Sequence, residues 1–174
     1  MEYGKPTKLQ DGRYFVKITQ KDGSRVLKQI NNAEVQEAQC FKVGIDLNEF
    51  DEQIISQAEV SSEEWFGKKI ELDALKKAFD SSVSSGIIEA PFARRGSTIA
   101  TKVFDSDRNE VSTDVLTIGT RCDILIELCG IWFLKKSFGP VWRIVQARLK
   151  KQSTFPQKYM FEDDDKSDDE YDAV

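Results

Sequence analysis

The residue types that could do chemistry in this chain crowd into one stretch. Between positions 132 and 151, Trp132, Phe133, Phe138 and Trp142 stand among Lys135, Lys136, Arg143, Arg148, Lys150 and Lys151. A packed core accounts for the aromatic residues but not the cations, and a solvated surface accounts for the cations but not the aromatics. A surface that grips a single-stranded polyanion accounts for both. Cations neutralise phosphates, and aromatic faces stack on unpaired bases at about 1–3 kcal/mol per base. Lys135, Lys136 and Phe138 sit at a turn, and turns lie on surfaces. Arg94 and Arg95 could extend the cationic track. The competing reading of Trp132 and Trp142 is ordinary core or cross-strand packing.

Covalent chemistry finds less support. The chain has no histidine. That removes the commonest general base, the Ser-His and Cys-His nucleophile pairs, and His-containing zinc sites. Cys40, Cys122 and Cys129 form no CxxC and no disulfide-scaffold spacing, so they read as small apolar residues in a reducing compartment. DSDRNEVSTDVL places Asp105, Asp107 and Asn109 as a calcium loop would. However, Glu110 stands where the turn needs glycine and Leu116 where a bidentate glutamate belongs, so a polar β-turn is expected. No glycine-rich phosphate loop is present. The expectation is a binding protein, not an enzyme, with no cofactor and no metal.

Charge is distributed unevenly. The formal net charge is −5, yet residues 91–160 carry 12 Lys+Arg against 6 Asp+Glu. Residues 161–174, FEDDDKSDDEYDAV, carry eight acids and one lysine. This asymmetry points to a polyanionic partner for the domain and a disordered acidic arm behind it. Ser167 is followed directly by acids, the context that acid-directed kinases prefer, and is the candidate modification site. No secretory leader, myristoylation glycine or run of about 18 apolar residues occurs, so an intracellular protein without a membrane partner is expected.

Elements must position these residues. RYFVKIT (13–19) alternates as a strand does, Asp22-Gly23 is a hairpin turn signal, and RVLKQI (25–30) reads as the return strand. CFKVGIDL (40–47) reads as a third strand. Ser61 or Ser62 can cap a helix, with Glu63 and Glu64 in its first turn, and the stripe Trp65, Leu72, Leu75 and Phe79 is broken near Gly67. This predicts one or two short helices between about 61 and 80. STIATKVFD (97–105) is a strand. Residues 120–136 and 139–151 form a long hairpin in which Gly130 could carry a bulge that switches the faces of Trp132 and Phe133. Strands, then helix, then strands predict a mainly β fold, a small closed β-barrel with a helical insertion. The expected division is an N-terminal arm (1–10), a domain (11–155) and an acidic tail (156–174).

The pattern W-F-x-K-K-S-F-G-x-x-W on this hairpin, E-W-F-G-K in the insertion and the acidic tail resembles one family. It is similar to the phage-type single-stranded DNA-binding proteins also found in large nucleocytoplasmic DNA viruses, over about residues 11–174. The resemblance implies an OB-fold that coats single-stranded DNA without sequence preference during replication, recombination and repair. It places stacking and phosphate contacts on Trp132, Lys135, Lys136, Phe138, Trp142 and Arg143, with Arg94, Arg95, Arg148 and Lys150 added from charge. It also implies that the tail (Phe161, Glu162, Asp163, Asp164, Asp165, Asp168, Asp169, Glu170, Tyr171 and Asp172) docks onto a DNA polymerase or helicase and competes with DNA. The location that follows is the site of viral DNA replication in the host cell, and a homodimer is left open. Two other readings stand beside it: an acidic-tailed β-domain acting as a chaperone or assembly factor for basic proteins, and an RNA-binding OB module.

Overall fold

The long hairpin is the axis of the molecule. The computed structural model describes residues 1–37, 39–151 and 161–162. In chain order the strands before the helices are β1 (Glu2–Tyr3), β2 (Thr7–Lys8), β3 (Tyr14–Thr19), β4 (Val26–Val35) and β5 (Cys40–Lys42). Three helices follow, α1 (Asn48–Val60), α2 (Ser62–Phe66) and α3 (Leu72–Ala78). Then come β6 (Ile87–Glu89), β7 (Arg94–Arg95), β8 (Thr98–Ile99), β9 (Lys102–Phe104), β10 (Glu110–Val111), a 3-10 turn at Thr113–Val115, β11 (Arg121–Leu134) and β12 (Ser137–Leu149). The fold is mainly β with short helices, as its sequence pattern predicts. The tail from residue 163 onward, including the candidate modification site Ser167, lies outside the described residues.

Sheet closure differs from expectation. The strand path runs β10-β9-β12-β11-β4-β5-β6, and its end strands do not meet, so no barrel closes. Just after β6 the chain touches β12 at an isolated bridge between Phe92 and Ile144, so β6 itself does not pair with β12. There Pro91 lacks the N–H that a continued ladder would need, although its carbonyl accepts from Ile144 N–H at 2.9 Å.

The expected β3–β4 hairpin is also corrected. β3 pairs with Gly130–Phe133 and β4 with Arg121–Leu128, both antiparallel to β11. The two strands therefore run end to end along one edge of β11. The Asp22-Gly23 signal does make a tight turn, with the Gly23 N–H donating to Gln20 O at 2.9 Å. That turn bulges from a continuing edge and does not reverse the chain. Within residues 1–10, β1 pairs with Ile18 and Thr19, and β2 with Tyr14 and Phe15.

Helices begin earlier than expected, at Asn48, because α1 buries Asp51, Ile54 and Ala58 on one face. α2 starts at Ser62, and Gly67 ends it in a left-handed conformation at φ 74°, the usual helix stop. Trp65 and Leu75 of the expected stripe are buried in the core, together with Ile54, Phe41, Ile126 and Ile144.

On β11 the register skips a residue between Leu128 and Gly130. Leu128, Ile131 and Phe133 consequently all face the core, while Trp132 turns outward. The bulge works only with glycine at 130, where a Cβ would lie 2.2 Å from Val16 O and 2.5 Å from Phe15 Cζ.

Candidate nucleic-acid interface

Two chain reversals meet at one end of the sheet. The β11–β12 turn consists of Lys135 and Lys136, both exposed, because Leu134 already pairs with Ser137. Opposite it, Gly67 stops α2 and releases Lys68 and Lys69 into an exposed connection to α3. Ser62 fixes that connection: its hydroxyl accepts the Ile70 N–H at 3.2 Å. Between the two reversals lies a groove of about 440 Å³ lined by Lys68, Lys69, Lys135 and Lys136, with Glu71 the acid among its lining residues. None of the four lysines is ion-paired among the described residues. The floor is apolar, formed by Phe66, Ile70, Leu134 and Phe138. Such a groove sets four exposed cations over an apolar floor, an arrangement suited to a phosphodiester backbone.

The other residues singled out from sequence fall elsewhere. Phe138 is 1% exposed and packs edge-on against Phe66 and Phe79, with centroids 5.5 and 5.1 Å away. It contributes to the floor and offers no face for a base. The turn is shorter than KSFGP suggests, so Phe138 already belongs to β12, and α2 and α3 cover it. Trp142 is 3% exposed. Its indole N–H donates to Ser82 Oγ at 2.8 Å, and Ser82 donates through both its N–H and its hydroxyl to Asp51 on α1. Trp142 thus anchors the helices to the sheet and does not stack on ligand. A buried tryptophan needs such an acceptor.

Arg143, Arg148 and Lys150 have partners within the fold. Arg143 binds Glu127 at 2.8 Å, while Arg148 and Lys150 both reach Asp123 at 2.7 Å. Both carboxylates are buried. Burial alone would raise the Asp123 pKa, but bonds from Lys150, Arg148 and the Asn32 N–H outweigh it and hold the carboxyl below its ordinary value. These cations already neutralise internal acids, although the Arg148 side chain stays 57% exposed. Arg94 and Arg95 form an exposed two-strand ladder with β8, beside Ile144 in the middle of β12 and away from the turn. Of the tail residues, Phe161 and Glu162 are described, and both are exposed.

Trp132 is half-buried on the outer sheet face, directly opposite Phe15. Burial pushes the Cys122 and Cys129 thiols up to about 11, which keeps them protonated packing residues. Asp105 accepts the Asp107 and Asn109 N–H groups at 2.9 Å each, making the polar turn expected there. Lys68, Lys69 and Phe15 were not among the residues predicted from sequence. Their signals were a glycine helix stop followed by two lysines, and the F-x-K alternation of β3, which sets an aromatic ring and a cation on one strand face.

No curated protein matches this chain. A weak structural neighbour is the single-stranded DNA-binding protein from bacteriophage Enc34 in complex with ssDNA, at 13% identity over 87% of this chain and 97% of that chain, with a TM-score of 0.35. A likeness of that size decides nothing about activity. A profile described as "Family of unknown function (DUF5871)" matches residues 16–163, most of the chain, and the chain therefore belongs to the DUF5871 family.

Proposed function

We propose that this protein binds single-stranded DNA without sequence preference, and that the groove between the β11–β12 turn and the α2–α3 connection is its primary phosphate-binding site. The observation that carries the reading is the set of four lysines without ion-pair partners over an apolar, aromatic-containing floor. Lysines spread along a groove read a backbone, not base edges, so the binding is sequence-independent. No catalytic step is part of the proposal. The charge pattern extends it: residues 161–174 carry eight acids and would compete with DNA for these lysines. When displaced they would offer an acidic segment to a basic patch on a polymerase or helicase. The setting we propose is DNA replication, recombination and repair at a site of viral replication.

The test is a titration with oligo-dT at several salt concentrations. Wild type should bind with a steep salt dependence, and duplex of equal length should bind less tightly. Replacing Lys68, Lys69, Lys135 and Lys136 by alanine should flatten the log–log slope by about 0.7 per lysine that contacts a phosphate, with the melting temperature unchanged. Equal binding by the quadruple variant would remove the groove from the mechanism. Tighter binding to an RNA oligomer, or to a basic protein in place of either nucleic acid, would redirect the function.

A further inference from the structure

The outer face of the sheet carries a second feature, contiguous with the groove. Trp132 pairs with Phe15, and Gly130 with Lys17, across β11 and β3. Directly opposed residues share a face, so Phe15, Lys17 and Trp132 lie together on the side away from the core. Neither Phe15 nor Trp132 belongs to the core cluster or packs against it, although both are half-buried.

What half-buries them is backbone. A Cβ at Gly130 would fall 2.5 Å from Phe15 Cζ, and one at Gly139 would fall 3.3 Å from Trp132 Nε1 and 2.9 Å from Asp80 O, so Asp80 flanks the indole edge. An edge of each ring therefore reaches over a glycine of the adjacent strand. Because both residues are only half-buried, part of each ring remains open to solvent. The Trp132 indole N–H has no acceptor among the described residues, in contrast with Trp142, which is held by Ser82. Cations border the pair: Lys17 is exposed beside Gly130, and Arg143 and Arg25 converge on Glu127 further along the same face. Leu134 is two residues beyond Trp132 on the same strand face, and it also lines the lysine groove.

We infer that Phe15 and Trp132 form a base-stacking platform on the outer face of β3 and β11, so that a bound single strand rounds the hairpin turn with its phosphates on the lysines and its bases on these two rings. This rests on the single-strand-binding reading above. The alternative role for the rings is purely structural, as covers for two glycines that leave sheet backbone bare.

The experiment uses the full chain, oligo-dT and an abasic deoxyribose-phosphate oligomer of equal length. Trp65 and Trp142 are buried, so quenching of fluorescence reports Trp132. Oligo-dT should quench wild type strongly and the abasic oligomer should bind without quenching. Trp132→Leu and Phe15→Leu keep apolar cover over the glycines. Each should weaken oligo-dT binding between about 5-fold and about 100-fold and leave abasic binding unchanged. If both leucine variants bind oligo-dT as wild type does, the platform is overturned and the lysine groove still stands. If wild type binds neither oligomer, both proposals fall together. Should a leucine variant prove unstable, wild-type quenching decides: no difference between oligo-dT and the abasic oligomer overturns the platform.

Discussion

The pair Phe138 and Trp132 shows how side chains of one type divide between two tasks. Both come from the same aromatic-cation stretch, and alternation alone cannot sort them, because the bulge at Cys129 resets the faces of β11. Phe138 is walled by Phe66 and Phe79. Phe138→Ala should therefore cost about 3–5 kcal/mol of stability, the range for emptying a buried aromatic site, and should lower the melting temperature sharply. The folded fraction should keep most of its affinity for oligo-dT. Thermal unfolding followed by titration below the transition separates the two effects. A variant that melts like wild type but binds poorly would return Phe138 to the ligand. The lysines at 135 and 136 were legible from sequence because a two-residue turn with adjacent cations has few other uses. Lys68 and Lys69 were not, because their partnership with the hairpin turn exists only after α2 and α3 fold against it.

Among the elements, α1 was the least legible. Its buried face contains Asp51 beside Ile54 and Ala58, and a carboxylate in the apolar stripe erases the amphipathic signal. Tertiary structure explains the acid: Asp51 takes bonds from Ser82, which in turn accepts from Trp142 of β12. Burial pushes the Asp51 carboxyl above its ordinary value of 3.8, against the pull of the Ser82 bonds. A raised native pKa means that this group's contribution to stability is present below the unfolded value and is lost as pH rises through the native one. Relative to Asp51→Asn, wild type should thus lose stability as pH climbs from 3.8 towards neutrality, and the two should converge in acid. Denaturant midpoints across that range provide the measurement. A gap that stays constant with pH would mean that Asp51 ionises without penalty. The strands were legible as strands because alternation and β-branched residues are local. The β3–β4 pairing that the sequence predicts does not form, because a tight Asp-Gly turn fixes only its own four or five residues, while β11 decides what lies on either side.

At the scale of the whole molecule, net charge conceals the function that its distribution suggests. The described domain keeps four lysines free of internal carboxylates at one end and neutralises Arg143, Arg148 and Lys150 with buried acids elsewhere. The sequence shows an excess of cations in residues 91–160 but not which of them the fold consumes. If the segment 161–174 competes with DNA as proposed, deleting it should tighten oligo-dT binding at low salt. The advantage should fade as added salt screens the carboxylates. Identical affinities for full-length and truncated protein at every ionic strength would limit that segment to another role.

The end-to-end placement of β3 and β4 bears on how the domain comes into being. Neither strand pairs with the other, and Val26 waits for Leu128, Lys17 for Gly130, about a hundred residues downstream. At roughly 5–20 residues per second of synthesis, the first third of the chain spends roughly 5–20 s on the ribosome before the strand that organises it has been made. Assembly cannot proceed from the N-terminus inward. It is gated by the arrival of β11, which places the domain among slow, non-local folders. Lys17, Lys28 and Glu34, spaced along those two waiting strands, put charge where an unpaired edge would otherwise invite a neighbouring chain.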